Sequence, residues 1–226
     1  MSQHPTTCWS VLEGAARGDA GARRIFAARY ESVIRAYLAA RWRGSRFAQD
    51  LDDAVQEAFL EVFREGGVLE RVEPGRPGGF RAFFYGVLRH IALRHESKAA
   101  RRRERAAETA ALDNAAIPSE EHLTRVFDQQ WARAVMREAA DLQRERARTT
   151  GPDAMRRVEL LQLRFHDGLP IREIAERWKD DPAHVHREYA RARREFRAAL
   201  EEVVATHQPG EAATAPQRCA ELLSLL

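Results

Sequence analysis

The chain has 226 residues, 44% of them hydrophobic, and a formal net charge of +3; it can hold one large or two small cores, and its arginine-rich basic set suits a phosphate-bearing partner. Cys8 and Cys219 are the only cysteines and stand near opposite ends, so a disulfide framework or a four-ligand zinc site is not expected and a reducing cytoplasm is. The first residues lack the apolar stretch of a secretory leader, and nowhere do about 18 apolar residues run together, which argues against secretion and against a membrane span.

Ala, Leu, Glu and Arg dominate and lose little rotamer freedom in helices, while no β-branched alternation marks a sheet, so the expected class is all-α. A first helix runs from about Ala20 to Trp42, with Ile25, Phe26, Tyr30, Val33, Tyr37, Leu38 and Arg41 at helical spacing and Asp19 as N-cap after Gly18. A second covers Leu51 to Arg64: Leu51, Ala54, Val55, Ala58, Phe59, Val62 and Phe63 form one side, and Asp52, Asp53, Gln56, Glu57 and Glu61 the other. Residues 66 to 79, GGVLERVEPGRPGG, read as a loop. A third helix presents Phe80, Phe83, Phe84, Val87, Leu88 and Ile91 inward, with Arg81, Tyr85, Arg89 and Arg94 on or near its outer face, and runs into RRRER at 101–105.

Residues 106 to about 123, polar, Ala-rich and containing Pro118, read as a linker between domains. Beyond it Phe127, Trp131, Val135 and Leu142 predict an amphipathic helix stopped at Thr149-Thr150-Gly151-Pro152. Val158, Leu161 and Phe165 predict the next, ended by Asp167-Gly168. Ile171, Ile174, Ala175 and Trp178, then Val185, Tyr189, Ala192 and Phe196 after a tight turn, have helix-turn-helix spacing. From Thr206 the chain is a Pro/Gly/Ala-rich tail closing on an apolar patch, Cys219 to Leu226.

Charge is unevenly distributed. Residues 81–105 hold eight basic side chains against Glu96 and Glu104, whereas 51–65 hold five acidic ones against Arg64. The basic, aromatic helix suits a polyanion and unpaired bases, which stack on Tyr, Phe or guanidinium planes; the acidic helix would be repelled by DNA and suits a protein. Phe80, Phe83 and Phe84 at helical spacing are more often simple core, whereas Tyr85 and Arg81 are less easily buried. In the helix-turn-helix, His184, His186, Arg187, Arg191, Arg193 and Arg194 stand on the second helix, with Arg191 and Arg194 suited to phosphate.

From residue 13 to about 200 these motifs resemble the extracytoplasmic-function (ECF) group of bacterial sigma factors. RGDAGARRIFAARY is similar to that family's opening helix, and DLDDAVQEAFLEVF to its D-x-x-Q-E-x-F helix. The resemblance implies docking on the clamp helices of the largest polymerase subunit through Asp53, Gln56, Glu57 and Phe59, with Leu60 beside them. FRAFFYGVLRHIALRHESKAARRRER resembles the segment that melts and reads the minus-ten element, implying DNA contacts by Arg81, Phe84, Tyr85, Arg89, His90, Arg101, Arg102 and Arg103; His90 stands where the family commonly has Asn. The loop Pro74 to Gly79 corresponds to one that captures a flipped-out base. LLQLRFHDGLPIREIAERWKDDPAHVHREYARARREF resembles the minus-thirty-five helix-turn-helix, which also docks on the polymerase flap. It implies DNA contacts by His184, His186, Arg187, Arg191 and Arg194.

Two departures fall in this last segment: Pro170 replaces a Ser/Thr cap, and Lys179-Asp180-Asp181 replaces a Gly-and-aliphatic turn, putting carboxylates where they oppose phosphate. FDQQWARAVMREA is similar to sigma factors with extended tails. The resemblance therefore implies a region 2-like domain at 13–105, a linker at 106–123, a region 4-like domain at 124–204 and a tail at 205–226. Its partners would be RNA polymerase core enzyme, promoter DNA and an anti-sigma factor or other regulator, without membrane, metal or cofactor and without enzymatic activity. A stand-alone helix-turn-helix regulator remains the alternative, in which the Asp53/Glu57 helix is a solvated face. An enzyme built on His184-x-His186 or on His90 and His95 is disfavoured, because histidines at i, i+2 point to different sides and no ligand cluster completes a shell.

Overall fold

A computed structural model describes residues 8–73, 78–106, 118–207 and 215–225, with side chains in the third long helix only as far as Arg101. Among the described residues the regular structure is entirely helical: α1 (Cys8–Ala16), α2 (Ala20–Arg41), α3 (Leu51–Phe63), α4 (Gly79–Ala106), α5 (Glu120–Thr150), α6 (Pro152–Phe165), α7 (Ile171–Trp178), α8 (Pro182–His207) and α9 (Ala215–Ser224), with 3-10 turns at Arg46–Asp50 and Leu69–Arg71. The all-α class is thus observed. The chain forms two compact units, one of residues up to Ala134 together with those from Ala205 onward, the other of Val135–Val204. The division falls inside α5 and again near the end of α8, and the segment 106–123 lies largely outside the described residues.

In the first unit α2 is the central helix. Asp19 caps it, its Oδ2 accepting from the Ala22 amide at 2.6 Å, and Phe26, Tyr30, Val33, Ile34, Tyr37 and Leu38 are buried along its inner side. Gly14 lets α1 cross α2 closely, because a Cβ there would stand 2.8 Å from that of Ala22. α3 buries Ala54, Val55, Ala58 and Val62; α4 buries Phe80, Phe84, Val87, Leu88, Ile91 and Ala92. α4 is tied to the end of α2 through Glu96, whose carboxylate accepts from Arg41 at 2.7 and 3.1 Å and from Trp42 Nε1 at 2.8 Å.

The first half of α5 closes this core with Leu123, Phe127 and Trp131, all buried. The Trp131 ring stacks on Tyr30 at 5.4 Å, and its edge meets His207 at 5.4 Å. The Pro/Gly/Ala-rich tail from Thr206 carries α9, with Ala215 and Cys219 buried.

The second unit packs α6, α7 and the first part of α8 around Leu160, Leu163, Ile171, Ile174, Ala175 and Val185, with Leu169, Trp178 and Tyr189 partly buried against them. The inner face of α6 differs from the expected one. Leu161 is half-buried and Phe165 is 70% exposed, while Arg157 lies inside at 4%. Arg157 donates to Glu195 at 2.9 and 3.0 Å and to Glu188 at 3.2 Å, so a charged residue occupies the core side because α8 supplies its carboxylates. Buried Gln143 of α5 donates to the Ala192 carbonyl at 3.2 Å, holding α5 and α8 together within the same unit.

Candidate functional site

On α3, Asp53, Gln56 and Leu60 are exposed, Leu60 to 73%. Phe59 is half-buried, its ring stacked on Phe63 at 5.8 Å. The remaining carboxylates of the helix are engaged inside the unit. Glu57 takes a hydrogen bond from Lys98 at 2.5 Å and lies 3.5 Å from His95, and Glu61 accepts from Arg94 at 3.1 Å, all three partners on α4. Asp52 pairs with Arg35 of α2 at 2.6 Å. The Lys98 hydrogen bond, with the His95 contact behind it, holds the Glu57 carboxyl below its ordinary value. Of the residues expected to meet polymerase, Glu57 is thus also a clasp between α3 and α4.

The outer row of α4 has a partner on α5. Arg81, Tyr85 and Arg89 recur at four-residue spacing, and Asp128, Thr124 and Glu120 of α5 meet them in antiparallel order. Arg81 bonds Asp128; Tyr85 Oη donates to Glu120 at 2.9 Å and accepts from Thr124 at 3.2 Å; Arg89 Nε donates to Glu120 at 3.2 Å. The Phe127 ring lies edge-on to Tyr85 at 5.2 Å and 6.0 Å from the Arg81 guanidinium carbon. Burial raises the Tyr85 phenol above its ordinary value, and the Tyr85 hydrogen bond foremost lowers the Glu120 carboxyl. Phe84 is a different case. It is 1% exposed and packed on Phe26, Tyr30, Phe80 and Phe127, so its faces are closed to a base and it belongs to the core.

His90 and Arg101 are exposed. His90 also borders a shallow, mostly apolar groove of about 400 Å³, whose walls include Glu61, Val68, Phe83 and Val87. The side chains of Arg102 and Arg103, and most of the loop Pro74 to Gly79, lie outside the described residues.

In the second unit, α7 and α8 meet at a turn in which Lys179 adopts the left-handed conformation, φ 52° and ψ 46°, its amide bonding back to the Ala175 and Glu176 carbonyls. The backbone therefore keeps a glycine-like geometry without glycine. Pro170 occupies the N-cap of α7, where it offers no side-chain acceptor. Asp181 accepts from the Ala183 amide at 3.2 Å at the start of α8. Asp180 is held by Arg156 at 2.9 Å and His184 at 3.0 Å, with the Arg156 guanidinium 4.5 Å above the Trp178 ring. These contacts lower the Asp180 carboxyl, the His184 hydrogen bond most. His184 is half-buried on this cluster, whereas His186, Arg187, Arg191 and Arg194 are exposed along α8.

Among the described residues no group of three or more His, Cys, Asp or Glu is arranged to hold a metal ion, and no helix is long and apolar enough to cross a membrane. No family model matches the sequence, and no curated protein matches it.

Proposed function

We propose that the chain is a sigma-type subunit of bacterial RNA polymerase of the ECF group. It would bind core enzyme, recognise promoter DNA and assist its melting, acting without catalysis of its own. In this reading the first unit is the region 2-like body, and the helix-turn-helix of the second is its region 4-like counterpart in the cytoplasm.

The observation that carries the proposal is the exposed patch on α3. Leu60, 73% exposed, stands beside exposed Asp53 and Gln56 and half-buried Phe59, a mixture of apolar and polar side chains that suits contact with a protein. Its acidic companions Asp52, Glu57 and Glu61 are engaged by neighbouring helices, so the patch is not merely the solvated side of an acidic helix. Support from the second unit is the exposed row His186, Arg187, Arg191 and Arg194 behind a left-handed turn of helix-turn-helix form.

Co-elution with purified core polymerase on gel filtration is the expected result, and Leu60→Glu should abolish it. Failure of the wild-type chain to bind core enzyme would overturn the proposal. DNA footprinting without polymerase separates the alternative: specific protection by the chain alone would favour a stand-alone helix-turn-helix regulator.

A further inference from the structure

Resting on the reading that α4 meets DNA, we propose that the first half of α5 is an intramolecular stand-in for nucleic acid, which keeps the Arg81/Tyr85/Arg89 row occupied in the free chain. The register is the first argument. Asp128, Thr124 and Glu120 repeat every fourth residue, as Arg81, Tyr85 and Arg89 do, so one stripe of α5 lies along one stripe of α4.

The chemistry is the second argument. Carboxylate oxygens on Arg81 and Arg89 fill the positions that phosphate oxygens would take, since both anions match a guanidinium through charge-assisted hydrogen bonds. The Tyr85 hydroxyl is likewise saturated, by Glu120 and Thr124. The Phe127 ring meets Tyr85 edge-to-face at 5.2 Å and so crowds the ring on which an unpaired base would stack.

The third argument is what holds the cover down. Leu123, Phe127 and Trp131, on the same half-helix, are buried in the core. The strip is therefore anchored by apolar burial as well as by charge, and a screened surface pair alone would not hold it so firmly. The consequence is that single-stranded DNA must displace internal anions before it can use this row.

Fluorescence anisotropy of the full chain with a short labelled single-stranded DNA of mixed sequence tests the idea. E120Q/D128N keeps side-chain volume and removes the competing charge. It should bind about tenfold more tightly than the wild type, and adding R81A/R89A should remove the gain. Glu120→Gln alone, at an exposed position, guards against misfolding of the double variant and should give an intermediate gain, with thermal melts checking that each variant is folded.

Unchanged affinity in both neutralised variants would overturn the proposal, as would a gain that survives R81A/R89A. Transcription with core polymerase on the same preparations keeps the two ideas apart. Initiation by the wild-type chain with no gain in E120Q/D128N removes the mask and leaves the proposed function. Absence of core binding and of initiation removes the function instead.

Discussion

Replacing Glu96 by Ala deletes the carboxylate through which α4 is seated on the end of α2. The Arg41 side chain it neutralises is 4% exposed and Glu96 itself 18%, and Trp42 Nε1 shares the same acceptor at 2.8 Å. The substitution leaves a charge and an indole N–H in the interior without their acceptor. Breaking a buried pair by removing one partner costs about 3–5 kcal/mol. Because Glu96 reaches the surface, water enters the vacated site, and the lower end, about 3 kcal/mol, is expected. Glu96→Gln retains an acceptor for both donors and should cost about 1 kcal/mol. With a urea slope of about 2 kcal/mol/M, the midpoint should fall by about 1.5 M for E96A and about 0.5 M for E96Q. Tryptophan fluorescence is the readout, because Trp9, Trp42 and Trp131 all belong to the first unit. A fall below about 0.3 M in E96A, or equal effects of the two substitutions, would refute the view that this pair seats α4.

Lys179→Gly should stabilise the second unit by about 0.5–1 kcal/mol, read as a higher melting temperature, because glycine relieves the left-handed strain while losing more entropy on folding. A drop in melting temperature would contradict the turn geometry. Asp53→Lys and Leu60→Glu should each weaken core-polymerase binding at least about tenfold with stability within about 0.5 kcal/mol of wild type, whereas Glu57→Arg should also lower stability by opposing Lys98 and His95; pull-down and urea melts together check this. The depressed Glu57 carboxyl contributes stability that is present above its ordinary value of 4.5 and lost as pH falls through its lower folded value. Acid titration of unfolding should therefore be steeper in the wild type than in E57Q as pH falls from 4.5 to the lower folded value, and identical slopes there would show that the clasp adds nothing.

Most of the cores of α2, α3 and α4 was legible because their apolar residues recur at helical spacing, but Ile25 is exposed and Leu51, Phe59, Phe63 and Phe83 are only half-buried, since the neighbouring helices do not reach over them. Asp19 was legible as a cap because only its side chain sits at the right offset before the run. α1 and α9 were not legible: each is short, and its burial depends on other helices, Gly14 against Ala22 in the first case. On α6 the charged Arg157 disguised the inner face, since its carboxylate partners lie 31 and 38 residues further on. The same limit hid the cover on α4. Periodicity showed that Arg81, Tyr85 and Arg89 share an outer face, but their partners stand 47, 39 and 31 residues away on another helix. The D-x-x-Q-E-x-F pattern likewise marked Glu57 as a surface acid without showing that α4 holds it.

Multi-round transcription from genomic DNA fragments by purified core polymerase, with start sites mapped by sequencing, tests the central claim most directly. The account predicts defined start sites sharing common upstream elements when the chain and core enzyme are combined, and none when either is used alone. Transcripts that begin at the same places with or without the chain, or no transcripts at all from the combination, would contradict it.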